Sequence, residues 1–209
     1  CRTAALGGQV YACDDCHELA YSYHSCVNRN CPKCQNEQAE AWLQKQAKKL
    51  LPVPYFLLTF TLPAELRKLA RAHQKLFYEI LFKASAQAMQ KLAGDPKFIG
   101  GTIGFLGVLH TWAPDMRYHP HVHYLVPGGG LSGDKTKWLP AQNKFFLPVQ
   151  ALSPIFRAKF RDALKQTSLF KKVSACVWHK DWVVHCNGRE TNQGTILISI
   201  LSLQSLVTD

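Results

Sequence analysis

Acidic residues are scarce. Fourteen Asp and Glu stand against 25 Lys and Arg in 209 residues, giving a formal net charge of +11 and a pI near 9.4. That deficit favours a polyanionic partner, of which nucleic acid is the usual one. No apolar stretch reaches the length of a membrane-spanning helix. The longest late run, residues 196–207, is short and broken by Ser and Gln. A disulfide framework would need an oxidising compartment; no signal peptide is visible, although one could have been cut away before Cys1. Cys1 rather than Met opens the chain, which points to residues upstream. There is no internal repeat. Aliphatic residues are sparse in residues 1–34, so this segment cannot fold around an apolar core of its own. The whole chain is nevertheless 47% hydrophobic, which excludes a wholly disordered protein.

What the first segment has instead is cysteine. Six of the eight cysteines fall within residues 1–34; the others are Cys176 and Cys186. Cys13-Asp-Asp-Cys16 and Cys31-Pro-Lys-Cys34 are separated by 14 residues. Each pair can form a tight knuckle that aims two thiolates at one ion, and two knuckles complete a tetrahedral four-sulfur zinc site. Such a closed site is structural, and its binding energy becomes folding energy. Cys1, Cys26, His17 and His24 are left over; they would form a second zinc site or exchange with one of the four. Arg29, Lys33, Lys45, Lys48 and Lys49 lie in or just after this segment and are candidate phosphate contacts. For the three later lysines a solvated helix face is an equal explanation.

Residues 35–51 read as a helix with lysines in its last turns, stopped by Pro52 and Pro54. A module boundary is expected there. Residues 55–61 (YFLLTFT) read as a buried strand. A single long helix is expected from Pro63 to about Ala93, with apolar residues at three- and four-residue steps. Strands are expected over 102–112 and 121–126, joined by a turn over 113–118, and the second is closed by Pro127 and three glycines. A short strand at 144–149 precedes a helix capped by Ser153 with Pro154 in its first turn. A last strand is expected over 174–186. Helices packed on hairpin-connected strands give an α+β sandwich rather than a doubly wound parallel sheet.

The chemistry concentrates at His119-Pro-His121-Val-His123. Residues two apart on a strand share a face, so His121 and His123 present adjacent imidazoles. If the turn spans 113–118, His110 lies opposite His121 and joins them, leaving an open coordination position. Asp115 is the alternative third ligand. By ligand softness alone, three imidazoles suit Zn²⁺ or Ni²⁺ better than Mg²⁺ or Mn²⁺.

The segments SCVNRNCPKCQ (25–35), GVLHTW (107–112) and YHPHVHYLVPGGG (118–130) together resemble the two-tyrosine rolling-circle transposases of bacterial insertion sequences. These belong to the wider His-hydrophobic-His group of single-strand endonucleases. The resemblance covers residues 1–186. It implies an antiparallel-sheet and helix sandwich of that endonuclease type behind a zinc-binding module. It further implies Mg²⁺ or Mn²⁺ held by His121, His123 and a third ligand, matched here by His110. The metal would polarise a scissile phosphate, and a tyrosine would attack to leave a 5′-phosphotyrosine bond and a free 3′-hydroxyl. Single-stranded and hairpin DNA at the element ends would be the partners, in the bacterial cytoplasm with the nucleoid.

The tyrosines depart from that pattern. The resemblance expects a pair of them one helical turn apart after the stretch WHKDWVVHC (178–186). None follows; the seven are Tyr11, Tyr21, Tyr23, Tyr55, Tyr78, Tyr118 and Tyr124. Gln9 and Asn30 also stand where the family often has histidines. The expected organisation is therefore a zinc module over 1–51, a partial nuclease core over 52–186 that lacks its nucleophile, and a tail over 187–209 unlike the family. A truncation or frameshift near residue 187 would produce it. Two other readings compete: a non-catalytic zinc-dependent DNA-binding protein, and a metal-dependent hydrolase of small molecules.

Overall fold

A computed structural model describes the chain except for residues 29, 30, 114, 142–145, 191–195 and 197–209. Two compact units divide it, Cys1–Leu50 and Leu51–Ser199.

The first unit carries a β-hairpin, β1 (Gly8–Ala12) and β2 (Leu19–Tyr23), followed by helix α1 (Pro32–Ala47). Every residue of the hairpin is exposed, as expected of a segment without an apolar core. Cys31 caps α1, with Pro32 in the first turn where its missing N–H costs nothing.

The second unit is built on a four-stranded antiparallel sheet in the order β4 (Leu106–Trp112), β5 (Tyr118–Pro127), β3 (Tyr55–Thr61), β8 (Val184–Glu190). Alternation along the strands gives the sheet two unlike faces. Phe56, Leu58, Phe60, Val122, Tyr124 and Val126 point into the core. There they meet helices α2 (Ala64–Ala72), α3 (Gln74–Ala93) and α4 (Val149–Lys165). Rings of Phe60, Phe156, Phe160 and Trp182 pack edge-on or tilted at centroid distances of 5.1 Å between Phe60 and Phe156, Phe156 and Trp182, and Phe160 and Trp182. Burying each such side chain is worth about 1.5–3 kcal/mol. A small hairpin of β6 (Gly129–Leu131) and β7 (Trp138–Pro140) sits beside the sheet, so the glycines after Pro127 form a strand rather than only a loop.

Four expectations are corrected. The long helix breaks at His73, whose backbone leaves the helical region (φ −134°, ψ 51°), so α2 and α3 bury separate faces. The strand expected from 102 begins at Leu106; Thr102 makes only an isolated bridge to Leu131. Helix α4 starts at Val149, and Ser153 does not cap it. The Ser153 hydroxyl instead donates to the Trp182 carbonyl (2.7 Å) and accepts from the Trp182 N–H (3.1 Å). Of the last expected strand, 174–186, only the end is strand, as the start of β8; Ala175–Trp178 is a 3-10 turn, because Val177, Trp178 and Trp182 turn inward onto the core beside α4. Of the short strand expected over 144–149, residues 144 and 145 lie outside the described residues, 146–148 hold a bend rather than a strand, and Val149 begins α4. Among the described residues no helix is long and apolar enough to cross a membrane.

Candidate metal centres

Two clusters with metal-binding chemistry stand out, one in each unit. In the first, ligand atoms of Cys1, Cys26, Cys31 and Cys34 lie within 4.8 Å of one another. Sγ of Cys34 is 3.2 Å from that of Cys1 and 3.6 Å from that of Cys26. A tetrahedral zinc with ~2.3 Å bonds sets its sulfurs roughly 3.8 Å apart, so the four thiols fit that ion. The Cys34 thiol is pulled down to about 7, first by its hydrogen bond with Ser25, which favours the ligating thiolate.

This grouping differs from the pairing of knuckles expected from the spacing. Cys13 and Cys16 flank the β1–β2 turn, whereas Cys1 and Cys26 flank the hairpin's open end. Arg2 N–H donates to His24 C=O (3.0 Å), and Gly8 pairs with Tyr23, which holds the open end together. Four residue steps separate Gly8 from Ala12, about 13 Å at ~3.3 Å per step. Hairpin pairing therefore carries Cys13 and Cys16 away from the Cys31–Cys34 knuckle and brings Cys1 and Cys26 to it, rather than to a second site. Cys13 and Cys16 still form a tight turn: the Cys13 thiol is held below its ordinary value, first by the Cys16 backbone N–H. Of the candidate phosphate contacts, Lys33, Lys45, Lys48 and Lys49 are exposed, and Arg29 lies outside the described residues.

The second cluster is on the sheet face opposite the apolar core. Strands β4 and β5 pair with His110 opposite His121, the register that a turn over 113–118 requires. A bulge between His110 and Trp112 absorbs one residue of the turn. Ring centroids are 5.2 Å apart for His110 and His121, 4.6 Å for His110 and His123, and 4.8 Å for His121 and His123. Their ligand nitrogens lie within 4.8 Å of one another. A divalent ion with ~2.0–2.1 Å bonds draws such nitrogens to roughly 3–3.5 Å, which small side-chain rotations supply. His110 is buried, and His121 and His123 are half-buried.

Two contacts that the sequence did not reveal orient the rings. His121 Nδ1–H donates to the carbonyl of His119 (2.6 Å), which leaves Nε2 as the lone-pair nitrogen. Thr59 Oγ1 lies 2.8 Å from His123 Nδ1. Thr59 faces His123 on one side and His185 of β8 on the other, so the row continues across the sheet. Strand parity in YFLLTFT is the signal that would have placed Thr59 there. Burial, and then the neighbouring histidines, push His123 down to about 3; burial also lowers His121. Both rings are neutral at pH 7 and present lone pairs. Asp115 does not join them: in the turn it is held by Arg117.

The tyrosines near this face are otherwise engaged. Tyr124 points to the core, its hydroxyl 2.8 Å from Ser85 Oγ, and burial pushes it up to about 12. Tyr118 pairs its hydroxyl with Tyr78 at 2.8 Å, under Arg71. Tyr55 shares the parity of Thr59 but lies four residues along β3, about 13 Å at ~3.3 Å per residue. Its hydroxyl accepts from the Leu51 N–H (2.8 Å).

Comparison with known families matches two models. Residues 1–62 match one described as "Transposase zinc-binding domain", and residues 104–202 match one described as "Putative transposase". The second match runs past Cys186, where the family-like region was expected to end. Among curated proteins, the chain is 39% identical over 202 residues to "Putative transposase y4qJ" of Sinorhizobium fredii, covering 88% of this chain and 51% of that protein. It is 33% identical over 133 residues to "Transposase for insertion sequence element IS801" of Pseudomonas savastanoi pv. phaseolicola, covering 63% of this chain and 32% of that protein. The chain thus spans about half the length of the first relative and a third of the second. No solved structure matches.

Proposed function

From the premise that the chain belongs to the IS91 family of transposases, we propose that its second unit is the metal-binding part of a rolling-circle, single-strand DNA endonuclease and strand transferase. The observation that supports this reading is the convergence of His110, His121 and His123 on one sheet face, with the second nitrogens of two rings already occupied. A bound Mg²⁺ or Mn²⁺ would polarise the scissile phosphate. The rest is work for the protein. The His119 carbonyl holds His121 in the ligating tautomer, and Thr59 holds the His123 ring in place. The rigid strands keep three nitrogens convergent, and burial keeps two of the rings neutral, each with one lone-pair nitrogen.

The first unit is read as the DNA-binding module, with structural Zn²⁺ on Cys1, Cys26, Cys31 and Cys34 and with single-stranded or hairpin DNA ends as its partner. Its fold would depend on that ion, since its hairpin buries nothing.

We further read the attacking tyrosine as absent from these 209 residues, since each tyrosine of the second unit is engaged as described. The test is incubation with single-stranded DNA of the element ends and Mn²⁺. We expect metal-dependent binding that is lost in His121→Ala and His123→Ala, and no covalent protein–DNA adduct. A robust adduct would overturn the missing nucleophile. Undiminished DNA binding in both histidine variants would instead support a non-catalytic zinc-dependent DNA-binding protein.

A further inference from the structure

A cavity of about 180 Å³ opens beside the histidine cluster, between the end of β3, the start of α2 and the segment before β8. At ~30 Å³ per water it is room for about six waters, enough for a phosphate group and part of its shell. Arg67, His119, Lys180 and Thr61 are among the residues that line it. Thr61 sits opposite His121 in the β3–β5 ladder, and the His119 ring is centred 5.3 Å from that of His121. The cavity therefore begins one side chain away from the proposed metal.

Its charges do not cancel. Lys180 pairs with Glu65, and Asp181 lies 3.6 Å from Arg157. Among the described residues three cations, Arg67, Lys180 and Arg157, meet two carboxylates, Glu65 and Asp181, and Arg67 is the excess. Its Nε is buried and has no hydrogen-bond partner among the described residues. A buried donor without an acceptor is costly, and one beside a water-sized opening is a place where a ligand supplies the acceptor. The guanidinium fork matches the paired oxygens of a phosphate.

We propose that this cavity is an oxyanion site centred on Arg67, with Lys180 and His119 beside it, that takes a phosphate group. On the functional reading above, to which this assignment is tied, that group is the phosphodiester next to the scissile one. The strand is then gripped at two successive phosphates, one at the histidine cluster and one at Arg67.

Two measurements on the full chain test the site. Inorganic phosphate titrated into metal-free protein, followed by ³¹P NMR, reads the oxyanion site without DNA. Anisotropy of a labelled oligothymidylate with Mn²⁺, over a range of salt, reads the strand. Arg67→Gln is expected to abolish phosphate binding, weaken oligothymidylate about tenfold and flatten the salt slope by about 0.7, the share of one single-strand phosphate contact. Arg67→Lys should recover part of each. Manganese affinity by EPR should stay at the parental value. Lys180→Gln, at a side chain 43% exposed, should give a smaller loss and keeps the test sound if Arg67→Gln unfolds. Parental phosphate binding and salt slope in both variants overturn the site, as does a parallel fall in manganese affinity, which would mean Arg67 acts through the fold. Arg67-dependent phosphate binding in a chain that binds no DNA supports the oxyanion site and removes the DNA reading.

Discussion

Thr59 Oγ1 lies 2.8 Å from Nδ1 of His123, across the β3–β5 ladder where the two residues are direct partners. A hydroxyl on the neighbouring strand thus holds one imidazole of the cluster by its second nitrogen. Cross-strand register alone creates the contact.

Thr59→Val keeps the branched shape favoured in a strand and removes the hydroxyl. Manganese affinity should fall about 10- to 100-fold, the usual cost of losing a partner that orients a ligand. Calorimetric titration against the parent measures it. An unchanged dissociation constant would mean that Thr59 only packs.

Zinc content separates the two possible cysteine sets. Cys26→Ser should release the ion of the first unit, while Cys13→Ser should retain it. Metal analysis of the purified variants decides. The reverse pattern would restore the pairing of Cys13 and Cys16 with Cys31 and Cys34.

Acid should destabilise the metal-free second unit. Burial first, then the neighbouring histidines, hold His123 down to about 3, and His119 and His121 are lowered as well. The unfolded chain takes up these protons near 6.5, so the stability they contribute is complete above that value and is lost as pH falls toward 3. Urea midpoints should be level between about pH 7 and 8 and drop below about 6.5. A midpoint that rises on acidification contradicts the assignment of neutral, buried rings.

Gly107 permits β4 to pair with β5. A Cβ there would stand 2.5 Å from Tyr124 Cε1, in a ring packed by Phe60, Phe82 and Phe105. Gly107→Ala should cost about 1–3 kcal/mol of overpacking and weaken manganese binding, because β4 carries His110. Denaturation and metal titration of the one variant read both effects. Parental values in both would show that the ring moves aside freely.

Much of the histidine site is legible in the sequence. Period-two spacing puts His121 and His123 on one face, and the length of the intervening turn puts His110 opposite His121; both follow from local geometry that tertiary contacts do not override. The β3 strand is equally plain from its apolar run. The break at His73 is not, since the apolar periodicity continues across it and only the packing of two helices on the sheet requires the kink. The strand expected over 174–186 holds only from Val184, where β8 begins; before it, the alternation reflects Val177 and Trp182 turning in upon α4, not a ladder.

The cysteines mark the division most sharply. Their number, clustering and two-residue spacings already imply a metal-bound module, because a segment so poor in aliphatic residues has little else to fold upon. Which four thiols meet was decided by the hairpin, since antiparallel pairing joins the ends of a segment and sends its middle away. Cys1 and Cys26 arrive together for that reason, and Cys13 and Cys16 do not. For the histidines, likewise, spacing alone determined which rings share a face. Only the assembled sheet decided that Thr59 would hold one of them, and that Arg67 would stand beside them with a buried nitrogen that has no partner among the described residues.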